Sequence, residues 1–270
     1  MKYDLDELVI ETTRRCNLKC AHCMRGLSQD IDMDKRYIDI FLENNNINSI
    51  DTLCFSGGEP TLNPEIIVYT IDKIINEKID VHSIKMVTNG QIYSSEIVDA
   101  FNRFNEYRNK RVLLDLNIDI NKVSDKETLE FLKTYFDRHA RIIFSTDPFH
   151  FPIKEEIRKA YVDNSKGLLI TDWDVSKNTI YKTGLSNIGE EYNYELIKLP
   201  YFYSEEGKCN TFGALYLTAS GYVTTNGNGS YNDMDKINFG RVDDLYIDNL
   251  LQHWNDISSK FGKDSKPKNR

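Results

Sequence analysis

Short apolar runs alternate with longer stretches of helical periodicity along the first two thirds of the chain. Within the runs, apolar and polar residues alternate, which is the pattern of strands with one buried face. Between the runs, apolar residues recur at helical spacing. The pattern predicts strands over 7–13, 49–55, 81–88, 112–120, 141–146 and 168–171, and helices over 34–43, from 64 onward, over 94–104 and over 154–162.

This alternation predicts how the strands pair. Strands that are joined through helices pair in parallel, with right-handed crossovers. The helix after the second strand has a clear start, because Asn63 is a good N-cap, Pro64 suits the first helical position and Glu65 favours the positive helix end. Motifs that directly follow strands then lie where parallel α/β folds place their active sites.

The pattern changes after about residue 172. The segment up to residue 200 is irregular and rich in Asn, Tyr and Gly. Beyond it, residues 214–225 predict a hairpin that turns at Ser220-Gly221, and residues 245–254 predict a last helix. The end of the chain is polar and basic, as is typical of a frayed terminus.

Composition excludes several classes of protein. The chain has 270 residues, of which 40% are hydrophobic, enough for a sizeable core and too many for a disordered chain. A net charge of −8 argues against a general nucleic-acid or membrane-surface binder. No apolar run is long enough to span a membrane, and the first residues lack an apolar signal core. We therefore expect a cytoplasmic protein with no nucleic-acid and no membrane partner.

Three of the five cysteines stand together in a CxxxCxxC loop after the first predicted strand: Cys16, Cys20 and Cys23. Thiolates hold iron–sulfur clusters, and three of them leave one corner of a [4Fe–4S] cube open for a substrate or cofactor. A structural zinc site would need a fourth ligand, for which His22 is available. An incidental cysteine-rich loop is the other alternative.

A second motif follows the second predicted strand. Residues 12–25 (TTRRCNLKCAHCMR) and 55–60 (FSGGEP) together resemble the radical S-adenosylmethionine (radical SAM) superfamily. The resemblance implies an α/β fold, a partial (β/α)6 TIM-like barrel of parallel strands over residues 1–172. It further implies a small mixed α/β C-terminal cap over 173–258, and the basic flexible tail would be 259–270.

The resemblance also implies one [4Fe–4S] cluster and S-adenosyl-L-methionine (AdoMet) as cofactors. Cys16, Cys20 and Cys23 would ligate three irons, and the amino and carboxylate groups of AdoMet would chelate the fourth. His22 would then not be a ligand, because it would occupy a variable position whose backbone lies near the adenine.

The glycine motif would hold the methionine end of AdoMet. By the resemblance, Gly57, Gly58 and Glu59 would contact the methionine ammonium, largely through backbone carbonyls. The residue chemistry agrees, because glycines let the backbone approach closely and oxygens attract a cation.

Other polar residues near strand ends are further candidates. Asn89 ends the third predicted strand and would approach AdoMet, unless the segment is a plain turn. In the superfamily a polar residue near the end of the fourth strand binds the ribose. Asn117 and Asp119 fit by strand count, whereas Ser145 and Asp147, in a segment that resembles an S-x-D-x-F-H stretch of some members, are the slightly favoured pair.

Two residues are weaker candidates for catalysis. His150 would relay a proton, and a structural or surface histidine is the more common outcome. Cys209 and the hairpin after it resemble SPASM or twitch tails, which hold auxiliary clusters, but no cysteine follows it. We therefore expect a cap without an auxiliary cluster, in which Cys209 is a hydrogen donor or a structural remnant. Cys54, within a strand, is expected to be buried.

The resemblance implies reductive cleavage of AdoMet to a 5′-deoxyadenosyl radical that abstracts a substrate hydrogen. Tails of this type favour a ribosomally made peptide as substrate, although no leader-binding domain precedes Cys16. A small metabolite, such as a nucleotide or a sugar, is the alternative. A reductant such as flavodoxin or ferredoxin would be a second partner. A non-catalytic iron–sulfur or zinc sensor is the hypothesis from another class.

Overall fold

A computed structural model of the chain shows the fold. It describes residues 2–20, 23–119, 122–123, 125–128, 130, 132, 139–146, 152–174, 202–204, 210–225, 227, 229–247 and 250.

Strands and helices alternate through the first part of the described chain. The strands are β1 (Tyr3–Glu11), β2 (Ile47–Ser56), β3 (Asp80–Thr88), β4 (Ala140–Thr146), β5 (Leu169–Asp174), β6 (Phe202–Ser204), β7 (Asn210–Leu217), β8 (Tyr222–Thr224) and β9 (Gly240–Arg241). The helices are α1 (Lys35–Asn44), α2 (Pro64–Glu77), α3 (Ser95–Asp115), α4 (Glu155–Asn164) and α5 (Tyr231–Lys236), with a short 3-10 turn at Pro60–Leu62.

The nine strands of the described residues belong to one sheet with the order β5-β4-β3-β2-β1-β7-β8-β9, and β6 pairs with β7. Neighbours from β5 through β1 to β7 are parallel, and the remaining pairs are antiparallel. The predicted α/β class with a mostly parallel sheet is therefore confirmed. The predicted hairpin turn at Ser220-Gly221 is also confirmed, because β7 and β8 flank it.

The core forms where the alternating strand residues meet the apolar faces of the helices. Leu5, Leu8 and Ile10 of β1 are each 1% exposed, and they belong to the same core cluster as Ile67 and Ile71 of α2. Each such side chain contributes about 1.5–3 kcal/mol when it is buried. This core fixes the strand ends from which the candidate site is built.

One predicted strand is wrong. Residues 112–115 are the last turn of α3 rather than the start of a strand. No glycine or proline stands between Gly90 and Pro148, so nothing in the sequence breaks the helix before this point. The fourth parallel strand is therefore β4.

The region predicted as a cap contributes directly to the sheet. β7 runs parallel to β1, with Leu8 opposite Leu215 and Ile10 opposite Leu217. The tail thus lies beside the strand that leads into the cysteine loop. Most of the helix predicted over 245–254, and the whole of the tail predicted over 259–270, lie outside the described residues.

Candidate functional site

The cysteine loop and the glycine motif leave the sheet at the same edge. β1 ends at Glu11, and β2, its parallel neighbour, ends at Ser56. β3 ends at Thr88 on the other side of β2. The segments that follow these three strands are therefore neighbours, as expected for the carboxyl edge of a parallel sheet.

The two ends of the cysteine loop are held together by backbone hydrogen bonds. Arg14 N–H donates to the carbonyl of Ile31 at 2.8 Å, and Gln29 N–H donates to the carbonyl of Arg14 at 3.1 Å. Met33 N–H donates to the carbonyl of Thr12 at 3.1 Å. The loop that carries the cysteines is thus closed at its base, which reduces the freedom of the residues between.

Within the loop, Cys16 is held by two hydrogen bonds. Its N–H donates to Ser28 Oγ at 3.0 Å, and its Sγ accepts from Leu18 N–H at 3.4 Å. Burial raises the pKa of the Cys16 thiol, and the Leu18 hydrogen bond opposes that rise. Cys20 is half-buried and Cys23 is exposed. Exposure therefore increases along the motif, from the two half-buried cysteines to Cys23.

The three cysteines of the loop are donors of the type that holds an iron–sulfur cluster. The described cysteines form no disulfide. No three His, Cys, Asp or Glu side chains of the described residues converge on a point where they would share one ion. A cubane does not require this, because its cysteines bind separate irons at different corners. His22, the fourth ligand of the zinc alternative, lies outside the described residues.

The glycine motif lies directly against the base of the cysteine loop. Gly58 N–H donates to the carbonyl of Thr13 and Glu59 N–H to the carbonyl of Arg15, both at 2.8 Å. A Cβ on Gly57 would lie 2.4 Å from the Thr13 oxygen, and one on Gly58 would lie 2.3 Å from the Arg15 oxygen. Only glycine permits this approach.

The same contacts leave the carbonyls of the two glycines available. Within the part of the chain that the structure describes, no hydrogen bond reaches the carbonyl oxygen of Gly57 or Gly58. Two such oxygens beside the cysteine loop are suitable acceptors for an ammonium group. The residues present therefore fit the methionine end of AdoMet.

Glu59 links this segment to the end of β3. Its side chain is buried, and it accepts hydrogen bonds from Thr61 N–H and Oγ1, Thr88 Oγ1 and Asn89 N–H at 2.7–3.1 Å. Burial raises the pKa of Glu59, and these hydrogen bonds partly offset the rise. The carboxylate therefore joins the segment after β2 to the end of β3, and its hydrogen bonds form a brace between these two strand ends.

Asn89 extends this brace to the cysteine loop. The side-chain Nδ2 of Asn89 donates to Asn17 Oδ1 at 2.9 Å, and Asn17 follows Cys16 directly. Sequence reasoning identified Asn89 but missed Asn17 and Thr88 as partners. Their only local signals were a polar residue inside the cysteine motif and a threonine at a strand end.

Ser145 and Asn117, two candidates for ribose binding, lie in different parts of the structure. Ser145 lies near the carboxyl end of β4, one residue beyond Phe144, which pairs with Thr88. It is therefore at the edge of the sheet that carries the cysteine loop. Asp147, like the two weaker catalytic candidates His150 and Cys209, lies outside the described residues.

The position of Asn117 was predicted wrongly. It lies in a left-handed turn after α3, with φ 53, rather than at the end of a strand. Arg108 and Arg111, in the last turns of α3, pair with Asp80, which is the first residue of β3. Since α3 runs back along the sheet, its end lies near the amino edge, away from the cysteine loop. Asn117 is thus removed from the candidate site.

The family assignment follows from the sequence that forms this site. Residues 10–143 match the family model described as the Radical SAM superfamily. The chain belongs to the radical SAM superfamily, whose cofactors are a [4Fe–4S] cluster and AdoMet. Within the described residues, none of the helices has the length and apolar character needed to cross a membrane.

Individual relatives match over short segments. An uncharacterised protein of Methanocaldococcus jannaschii is 35% identical over 72 residues, 25% of this chain and 24% of that protein. A GTP 3′,8-cyclase of Clostridium botulinum is 33% identical over 93 residues, 32% of this chain and 28% of that enzyme. The chain thus spans about a quarter of the length of the curated relatives it matches.

Among the solved structures to which this chain is similar is native anSMEcpe with bound AdoMet and Cp18Cys peptide. It is 14% identical, with a TM-score of 0.47, and the match covers 97% of this chain and 84% of that chain.

Proposed function

We propose that this protein holds a [4Fe–4S] cluster on Cys16, Cys20 and Cys23 and binds AdoMet beside it on the glycine motif. The observation that carries the proposal is the pairing of Gly58 and Glu59 with the base of the cysteine loop at 2.8 Å. This pairing makes the two half-sites one unit of fixed geometry. When bound, the cofactors supply reductive cleavage of AdoMet and abstraction of a substrate hydrogen.

The residues of the site then divide the work of binding. The carbonyl oxygens of Gly57 and Gly58 accept the methionine ammonium, while the Glu59 carboxylate holds the motif against β3. Ser145 binds the ribose, because it lies at the carboxyl end of the fourth strand. Asn89 fixes the cysteine loop through Asn17.

Four roles carried over from the resemblance complete the proposal. The backbone of His22 lies near the adenine, and Asp147 assists Ser145 at the ribose. His150 relays a proton, and Cys209 donates a hydrogen to a substrate radical. The cap holds no auxiliary cluster.

For the substrate, we propose a ribosomally made peptide, on the ground that the tail resembles SPASM or twitch tails. A nucleotide is the second candidate, and the match to a GTP 3′,8-cyclase over 93 residues favours it. A flavodoxin or ferredoxin is the proposed reductant. The enzyme would work in the cytoplasm, where thiolates stay reduced.

Anaerobic reconstitution tests the cofactor assignment. Wild-type protein should hold about four irons and four sulfides per chain, and with dithionite and AdoMet it should release 5′-deoxyadenosine. Cys20→Ala should lose both properties. Cys54→Ala is the matched control and should keep both, because Cys54 is buried in β2. Bound zinc without sulfide would refute the proposal and support the sensor hypothesis.

Substrate class is tested with the same assay. Candidate precursor peptides and nucleotides, GTP among them, are added to the reconstituted enzyme, and 5′-deoxyadenosine is measured against the substrate-free rate. Stimulation by peptides together with a mass change in the peptide supports the first candidate. Stimulation by nucleotides alone would refute it and favour the second.

A further inference from the structure

Arg14, two residues before the first cysteine, is fully buried and bound at both ends of its guanidinium group. Its Nε donates to Glu11 Oε2 at 2.9 Å. Its two terminal nitrogens donate to the two carboxylate oxygens of Asp235 at 2.7 Å, and one of them also donates to Ser220 Oγ at 2.9 Å. The loop is thereby joined to a segment 221 residues away.

Arg25, two residues after the last cysteine, makes a second connection to the same part of the tail. Its guanidinium donates to the hydroxyl of Tyr216 at 2.9 Å and to the carbonyl of Gly227. Its own carbonyl accepts from Tyr231 N–H at 3.2 Å. Both flanks of the cysteine motif are therefore bound to the tail.

The two connections meet in one network. The Tyr216 hydroxyl, which accepts from Arg25, donates to Glu11 Oε1 at 3.1 Å, and Ala219 N–H donates to Glu11 Oε2 at 2.9 Å. Two arginines and two carboxylates give the network no net charge. A neutral, fully hydrogen-bonded set is the arrangement in which buried charges are tolerated.

The tail is shaped to receive the two arginines. The ring of Tyr231 lies 4.9 Å from the Arg14 guanidinium, and the ring of Tyr216 lies 5.1 Å from that of Arg25, which is within cation–π range. A Cβ on Gly227 would lie 2.3 Å from Arg25, so a larger residue would displace the guanidinium. The same two rings also pack with Met234 and Ile237 in a buried cluster of the tail.

We propose that tail residues 216–225, 227 and 229–235 form a positioning clamp for the cysteine loop, and that Arg14 and Arg25 are positioning residues for the cluster. The inference rests on the proposed function, because it assigns a role towards the cluster. Its physical basis is that supports outside the ligand set orient ligands and tune a metal centre.

The test compares Asp235→Asn with Arg241→Gln in the full chain. Asp235→Asn removes the carboxylate that binds Arg14. Arg241 anchors the same hairpin to Tyr37 and to the Ser220 carbonyl, and it makes no hydrogen bond to the described residues of the cysteine loop. Hydrogen exchange of residues 13–31 is measured on metal-free protein. Iron per folded chain and the reduction potential of the cluster are measured after reconstitution.

In Asp235→Asn, exchange in residues 13–31 should rise at least about tenfold, because Arg14, which is fully buried, would lose the charged partner that joins it to the tail. Iron retention should fall, and the cluster potential should shift. Asp235→Glu should restore both. Arg241→Gln should lower the unfolding temperature but leave loop exchange and iron unchanged.

Unchanged exchange and iron in Asp235→Asn, or equal losses in Arg241→Gln, would overturn the clamp. Failure of the wild-type chain to bind a cluster would instead overturn the proposed function. The exchange measurement on metal-free protein separates these two failures.

Discussion

Replacement of Gly58 by alanine tests the fit between the glycine motif and the cysteine loop. The added methyl group would lie 2.3 Å from the carbonyl oxygen of Arg15 and 2.8 Å from its carbonyl carbon. Both are backbone atoms, so neither can swing away as a side chain would. Either the loop or the motif must move by about 1 Å to reach ordinary contact distance.

The cost of this movement follows from the contacts that it breaks. Relief of overpacking typically costs about 1–3 kcal/mol. The two 2.8 Å hydrogen bonds between the segments contribute about 1 kcal/mol each. We therefore expect Gly58→Ala to lower the free energy of unfolding by about 3–5 kcal/mol. For chains of about 150–250 residues, this corresponds to a fall in unfolding temperature of roughly 10 °C.

The assay is urea unfolding of the metal-free chain, followed by AdoMet binding to the reconstituted protein. Gly26→Ala is the control, because Gly26 lies in the same loop with no atom within 4 Å of an added Cβ. Its positive φ of 78 makes alanine cost only about 1–2 kcal/mol there. If Gly58→Ala were no less stable than Gly26→Ala and bound AdoMet like the wild type, the close-contact argument would be wrong.

Three further predictions test neighbouring parts of the site. Glu59→Gln should destabilise the fold by about 1–3 kcal/mol in urea unfolding, because the NH2 group of the glutamine would face hydrogen-bond donors where a carboxylate oxygen now accepts. Glu65→Gln, on the exposed surface, should cost less than about 1 kcal/mol, and equal losses would contradict the brace. Burial alone would raise the pKa of Asp235, but hydrogen bonds from Arg14 and Ser220 outweigh it and lower that pKa. The contribution of Asp235 to the free energy of unfolding should therefore be full above about pH 4 and disappear as the pH falls through the lowered pKa. A difference in this free energy between wild type and Asp235→Asn that stayed the same from about pH 7 to about pH 3 would refute this. Burial raises the pKa of Cys54 to about 12. The Cys54→Ala variant should lose about 1 kcal/mol of stability and no iron. Loss of iron in this variant would place Cys54 in the site.

The sequence predicted best what short segments encode. β1 to β5 were found because alternating apolar residues pack one face of the sheet, and the cysteine and glycine motifs were found because each is contiguous. Residues 112–120 failed because Val112, Leu114, Leu116 and Ile118 alternate as a strand would. The decisive fact was instead the lack of a helix breaker upstream. Alternation is therefore ambiguous where a helix has no encoded end.

Contacts between distant segments were beyond sequence reasoning. No local pattern pairs Arg14 with Asp235, and nothing in Asn63 shows that its amide donates to the Thr12 carbonyl at 2.8 Å instead of capping α2. The parallel pairing of β7 with β1 was also missed, because the tail was considered separately from the barrel. Such contacts depend on which segments the fold brings together.

The adjacency of β7 and β1 has a consequence for biosynthesis. The residues that complete the surroundings of Arg14 leave the ribosome after 221 further residues have been added. At about 5–20 residues per second, that delay is roughly 10–40 s. During this interval the nascent cysteine loop lacks its partners, so metal acquired then would occupy an unfinished pocket. Maturation of the holoenzyme should therefore follow translation rather than accompany it.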